Sequence, residues 1–154
     1  MKKEVLITVT GLLYTGDGED EEDYIDVITP GLYYYRSDKH FLVFDEQVEE
    51  CDTPIHNVIS IAPGRVEIKK SGVISTQMLF EPKKETRTWY ATPFGQLDME
   101  MYTRRITIQE SENCIDTDIR YKLLMGGTAK SDCFVHIRVQ PQTADGGFAL
   151  VGEE

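Results

Sequence analysis

The sequence predicts an all-β fold: a single antiparallel, up-and-down barrel of about ten strands. Three observations carry this. Apolar and polar residues alternate with a period of two through most of the chain, as in Val5, Ile7 and Val9 against Glu4, Thr8 and Thr10. The same alternation returns in Val66 and Ile68, in Leu97, Met99 and Met101, and in Ile119, Tyr121 and Leu123. Turn residues interrupt it at short intervals, and short connections make neighbours antiparallel. No stretch holds a helical apolar period better than the two-residue one. Many half-buried strands in sequence must close or fold over to hide one face, and closure also removes exposed edges. A two-sheet sandwich is the alternative.

The elements follow in order. A first strand spans about Glu4 to Tyr14 and ends at Gly16-Asp17-Gly18, before the acidic run Glu19 to Asp23. A second spans Tyr24 to Arg36, bent at Pro30-Gly31, where proline cannot donate to a ladder and glycine permits a kink. Ser37-Asp38 turns the chain into His40 to Glu46. After a polar stretch come Ile55 to Ala62, the Pro63-Gly64 turn, Arg65 to Lys70, the Ser71-Gly72 turn and Val73 to Phe80. Pro82-Lys83-Lys84 leads into Thr86 to Thr92, which is rich in β-formers. Pro93-Phe94-Gly95 suits a type I turn, with proline second and glycine fourth. Gln96 to Ile108, Thr117 to Leu124 and Cys133 to Gln140 complete the meander. One domain covers residues 1–154: an ordered barrel over about 4–140, and a loosely held tail over 141–154.

A chain of 154 residues can bury roughly 70% of its unfolded surface, so a core can form without disulfides or metal. Apolar content of 40% supplies that core. Sixteen basic residues against 27 acidic ones give a net charge of −11. That field repels phosphate backbones and anionic headgroups, so neither nucleic acid nor membrane is expected as a partner unless basic side chains gather in three dimensions. Met1-Lys2-Lys3 is followed by a short, broken apolar run, and no signal peptide is expected. Cys51, Cys114 and Cys133 have no motif spacing, which fits reduced thiols in a cytoplasmic protein.

Most candidate chemistry fails on spacing. The acidic run Asp17–Asp23 lacks the ligand alternation of a calcium loop and reads as a solvated hairpin. His40, His56 and His136 are scattered, so no metal site and no cofactor are expected. His40, just after a turn, is expected at the surface, and His136 on the polar face of the last strand. Gly126-Gly127-Thr128-Ala129-Lys130-Ser131 has Ala129 where a phosphate loop needs glycine. No nucleophile elbow is present, and nothing singles out a catalytic carboxylate pair, so no catalytic residue is named. The aromatic and methionine residues at inward positions are more informative. Tyr35, Phe44, Tyr90, Met99, Met101 and Tyr121 are the candidates for a ligand site inside the barrel. Methionine adapts to varied shapes and tyrosine adds a polar handle. Ordinary core filling competes with that role. Leu97, Met99, Met101, Ile119, Tyr121 and Leu123 are expected to point inward together.

Several blocks resemble the YwiB-like family of small bacterial proteins. They are Tyr33-Tyr34-Tyr35, Phe41 to Glu46, Ile68 to Gly72, Met78-Leu79-Phe80 and, most specifically, Tyr90-Ala91-Thr92-Pro93-Phe94-Gly95-Gln96-Leu97. Thr103, Tyr121-Lys122-Leu123 and Phe134 to Val139 fit as well. The resemblance implies a calycin-like (lipocalin-like) β-barrel and carries over no catalytic residue. One departure is Lys70, where such proteins often have arginine; a bidentate contact there would be weaker with lysine. Lipocalins proper carry a glycine-x-tryptophan signature near the first strand, whereas the one tryptophan here is Trp89. Fatty-acid-binding proteins insert a helix pair where this chain has only Gly16 to Asp23. The expected role is non-covalent binding of a small, partly apolar ligand. The alternative is a protein-interaction module without a ligand cavity, and an enzyme ranks third. Ligand identity and oligomeric state are not written in the sequence.

Overall fold

The computed structural model describes residues 2–11, 26–49, 52–125 and 130–142. Ten strands close into one barrel, each hydrogen-bonded to its sequence neighbours, with the first paired to the last. They are β1 (Lys3–Thr10), β2 (Asp26–Arg36), β3 (Lys39–Glu46), β4 (Ile55–Ala62), β5 (Arg65–Ser71), β6 (Ser75–Phe80), β7 (Lys84–Thr92), β8 (Gly95–Glu110), β9 (Ile115–Met125) and β10 (Lys130–Pro141). Every pairing is antiparallel, and the described residues include no helix. The acidic run, Cys51, the Gly126–Ala129 segment and most of the expected tail lie outside the described residues. Gln142, at the tail's start, donates its side-chain amide to the Val5 carbonyl at 2.9 Å.

The turns are where the sequence puts them. Ser37 and Asp38 both take positive φ, 56° and 67°, between paired Arg36 and Lys39. That is the two-residue turn whose twist matches flanking strands. Pro63-Gly64 closes the next hairpin, with Gly64 at φ 74°. At Pro93-Phe94 the Thr92 hydroxyl accepts from the Phe94 amide at 3.1 Å and holds the tip.

The inward sets follow the period-two pattern: Val5, Ile7 and Val9; Leu42 and Phe44; Ile59 and Ile61; Val66 and Ile68; Met78 and Phe80; Ile115 and Ile119; Val135, Ile137 and Val139, all buried in one core. Gly31 is a tight place in the wall. A Cβ there would stand 2.6 Å from Ile7 Cδ1 and 2.8 Å from the Val43 carbonyl oxygen. It also marks the point where β2, paired with β1 from Asp26, begins to pair with β3 at Leu32.

β8 departs from simple alternation. Met99, Met101 and Thr103 face inward, but the register shifts between Thr103 and Arg105, and the inward positions become Ile106 and Ile108. Arg104 is the extra residue of a β-bulge, which bends a strand and re-aims its side chains. The expected strand Gln96–Ile108 is therefore longer, Gly95–Glu110, and changes parity midway.

Candidate functional site

The end of the barrel bearing the β3–β4, β5–β6 and β7–β8 connections carries a polar row on its inner wall. Phe44 opposes Asn57, Asn57 opposes Lys70, Lys70 opposes Thr76, Thr76 opposes Tyr90 and Tyr90 opposes Leu97. Lys70 has the inward parity of Val66 and Ile68, and Asn57 that of Ile59 and Ile61. The fold therefore forces an ammonium group into the wall, with its side chain 3% exposed.

Its charge is met locally. Lys70 Nζ donates to Glu46 Oε1 at 2.6 Å and to Asn57 Oδ1 at 2.8 Å. Asn57 Nδ2 donates to the same Glu46 oxygen at 3.0 Å. Two of the three ammonium donors are thus used among the described residues. Beside them Thr76 Oγ1 donates to the Trp89 carbonyl at 2.6 Å. Burial, and then the Glu46 charge, push the Tyr90 phenol above its usual pKa, so it remains a donor at neutral pH.

At the opposite end a second inward group forms a chain. Tyr33 Oη lies 2.9 Å from His40 Nδ1, and His40 Nε2 lies 3.0 Å from Glu110 Oε2. Burial, the Glu110 charge and Tyr35 all raise the Tyr33 pKa. A carboxylate accepts, so Nε2–H donates to the half-exposed Glu110, while the phenol and Nδ1 share the other hydrogen bond. The chain links a buried hydroxyl to solvent through one imidazole. His40 is 4% exposed, which corrects the expectation of a surface residue. Nearness to a turn suggested the surface, but its parity with Leu42 and Phe44 decides.

A third cluster sits on the outer wall. Asp116 accepts from Arg138 Nε at 2.8 Å, His136 Nε2 at 2.9 Å and Cys114 Sγ at 3.2 Å. Asp118 takes the other His136 nitrogen at 2.8 Å. Burial alone would raise the Asp116 pKa. The bonds from Arg138, Cys114 and His136 outweigh it and hold the carboxyl below its usual range. Burial and the bond to Asp116 raise the Cys114 thiol, which keeps it protonated and unreactive.

The six proposed ligand contacts do not form one site. Phe44 and Tyr90 belong to the polar row, and Met99 lies one inward step below Leu97. Met101 and Tyr121 pack a layer deeper, with Tyr121 edge-on to Phe80 at 5.0 Å. Tyr35 is at the far end, its ring 5.1 Å from that of His40. Burial and the neighbouring Cys133 thiol raise the Tyr121 pKa strongly. Of the six residues expected to point inward together, Met99, Met101, Ile119 and Tyr121 are buried and Leu123 is partly buried against the core. Leu97 is the correction, at 46% exposed. Its parity is inward, but it stands at the rim in a run, Gly95–Asp98, that is exposed throughout. The residues missed are Glu46, Asn57 and Lys70. The signal for two of them was available: a lysine and an asparagine at apolar parity.

A family model described as a domain of unknown function, DUF1934, matches residues 7–137. The chain is 25% identical over 148 residues to a Bacillus subtilis (strain 168) protein described as the uncharacterized beta-barrel protein YwiB, covering 96% of this chain and 98% of that one. The crystal structure of the ywiB protein from Bacillus subtilis superposes with a TM-score of 0.75 at 19% identity, covering 92% of this chain and 94% of that one. This structural likeness is one of fold.

Proposed function

The chain belongs to the DUF1934 family of YwiB-like β-barrel proteins, and from that footing we propose that it binds a small, partly apolar molecule non-covalently at the polar-row end of the barrel. One observation carries this reading: the Lys70 ammonium, 3% exposed on the inner wall, is held by Glu46 and Asn57 at one end of a largely apolar core. Such a pair adds little stability over hydrophobic residues of the same volume, so stability alone does not explain it. A ligand entering here would meet Lys70, Glu46 and the Tyr90 hydroxyl with its polar end, and Phe44 and Met99 with its apolar part. That combination of apolar lining and a few polar groups is typical of small-molecule sites.

A neutral apolar dye such as Nile red tests the reading, because it avoids competition from surface charge. Saturable fluorescence enhancement is expected for the full chain. Tyr90→Phe and Met99→Ala should each weaken it several-fold while the protein remains folded by circular dichroism. Absence of saturable binding, or binding indifferent to both substitutions, would remove the proposal.

A further inference from the structure

The outer wall carries a cleft of about 600 Å³ between β8, β9 and β10, lined by Arg104, Arg105, Arg120, Asp132 and Phe134 together with Tyr121 and Cys133. We propose that this cleft binds the phosphate group of a small phosphate ester. The site is distinct from the polar row inside the barrel and does not depend on it.

The first argument is charge placement. Arg105 and Arg120 are directly opposed in the β8–β9 register, both exposed on the outer face. Like charges at such a position repel, because opposed side chains start only about 5 Å apart at Cβ. Neither has a carboxylate partner among the described residues. The Arg120 guanidinium is instead held 5.1 Å over the Phe134 ring. Arg104 adds a third cation, and its carboxylate partner among the described residues, Asp132 at 3.6 Å, is 78% exposed. A pair that exposed contributes little, and an anion can displace it.

The second argument is the bulge. Without Arg104 as an extra residue, β8 would present one arginine to this wall. The register shift between Thr103 and Arg105 presents two in succession beside a third on β9. Bulges commonly re-aim side chains next to binding sites. Three guanidinium groups match an oxyanion carrying more than one charge, since each is a rigid fork suited to phosphate. The volume supplies the third argument. Ligand pockets of about 300–1,000 Å³ hold drug-sized molecules, so the cleft has room for an organic portion beyond one phosphate.

Calorimetric titration of the full chain with phenyl phosphate and with inorganic phosphate tests this. Phenyl phosphate should saturate and bind more tightly than inorganic phosphate. Binding should weaken at least tenfold in Arg105→Ala and Arg120→Ala, and Arg105→Lys should recover only part of it. Arg87→Ala, on an 85% exposed side chain outside the cleft, should leave it unchanged. A thermal readout separates a ligand role from a structural one. Arg105→Ala should raise the unliganded Tm by relieving repulsion and reduce the Tm rise given by phenyl phosphate. Three results would overturn the proposal: no saturable binding, equal weakening by Arg87→Ala, or an Arg105→Ala protein with lower unliganded Tm and an intact ligand shift. Inorganic phosphate binding as tightly as the ester would overturn the ester assignment.

Discussion

Two polar clusters at the residue scale differ in what they do for stability. Asp116 gathers three donors on the outer wall, and its folded pKa lies below the ordinary 3.8. A depressed carboxyl contributes stability above its unfolded pKa and loses it as pH falls through the folded one. Asp116→Asn should therefore cost on the order of 1 kcal/mol in urea denaturation at neutral pH. That difference should hold down to about pH 4 and shrink steadily below 3.8. A difference that grows on acidification would show that the bonds to His136 and Arg138 are not what Asp116 supplies. Lys70 behaves otherwise because the cation itself is desolvated, at 3% exposed against 48% for Arg138. Lys70→Ala strands Glu46 and should cost about 3–5 kcal/mol, whereas Lys70→Met with Glu46→Leu should fall within about 1 kcal/mol of the parent or exceed it. Equal losses in the single and double variants would show that the ion pair is a net stabiliser. Lys70 also shows what a resemblance leaves out. The family blocks marked the position, and only the buried contacts to Glu46 and Asn57 give it meaning.

At the scale of the element, β8 carries the sharpest test. The bulge means that Arg104 can be removed without changing which residues face inward: Thr103 stays in, Arg105 out and Ile106 in. Deleting Arg104 should shift stability by about 1 kcal/mol or less, and should abolish phosphate binding in the cleft. Deleting Glu100 removes the same length but throws Met99 and Met101 onto opposite faces. Its loss should exceed about 4 kcal/mol, enough to leave the chain unfolded by circular dichroism. Comparable stability of the two deletions would mean that the bulge is not where the parity changes. β2 offers a second test. Gly31→Ala would force a methyl group against Ile7 and the Val43 carbonyl, and should cost about 1–3 kcal/mol in denaturant midpoint analysis. A neutral result would show that the wall there relaxes. Pro30-Gly31 was legible as a special place, but the close approach of β1 and β3 that requires glycine was not.

For the whole molecule, closure buries phenols that would otherwise ionise near pH 10. Tyr33 and Tyr121 are raised above 10.0, chiefly by burial. An acid whose folded pKa is raised contributes stability that is present below its unfolded pKa and lost as pH rises. The contribution of these two phenols should thus be constant up to about pH 10 and then fall. Ultraviolet titration of the eight tyrosines should show a late group that ionises only as the barrel opens. Tyr121→Phe should move the alkaline transition upward. All eight titrating together near pH 10 in folded protein would contradict the burial of these two rings.

Fold class, strand count, most turns and the inward faces were legible in the sequence, because a period of two is a local property written into each strand. The YwiB-like resemblance was legible too, in Tyr90–Leu97 above all. Which inward residues meet follows from strand pairing and closure, not from local pattern. Pairing of β3, β4 and β5 sets Glu46, Asn57 and Lys70 within bonding distance, and the β2–β3 hairpin places Tyr35 at the opposite end from Phe44. The β8–β9 register sets Arg105 onto Arg120 across a bulge that alternation could not announce, and the closed barrel brings His40 onto Glu110, 70 residues away. Register between distant strands depends on the whole closed ring, and no local pattern encodes it.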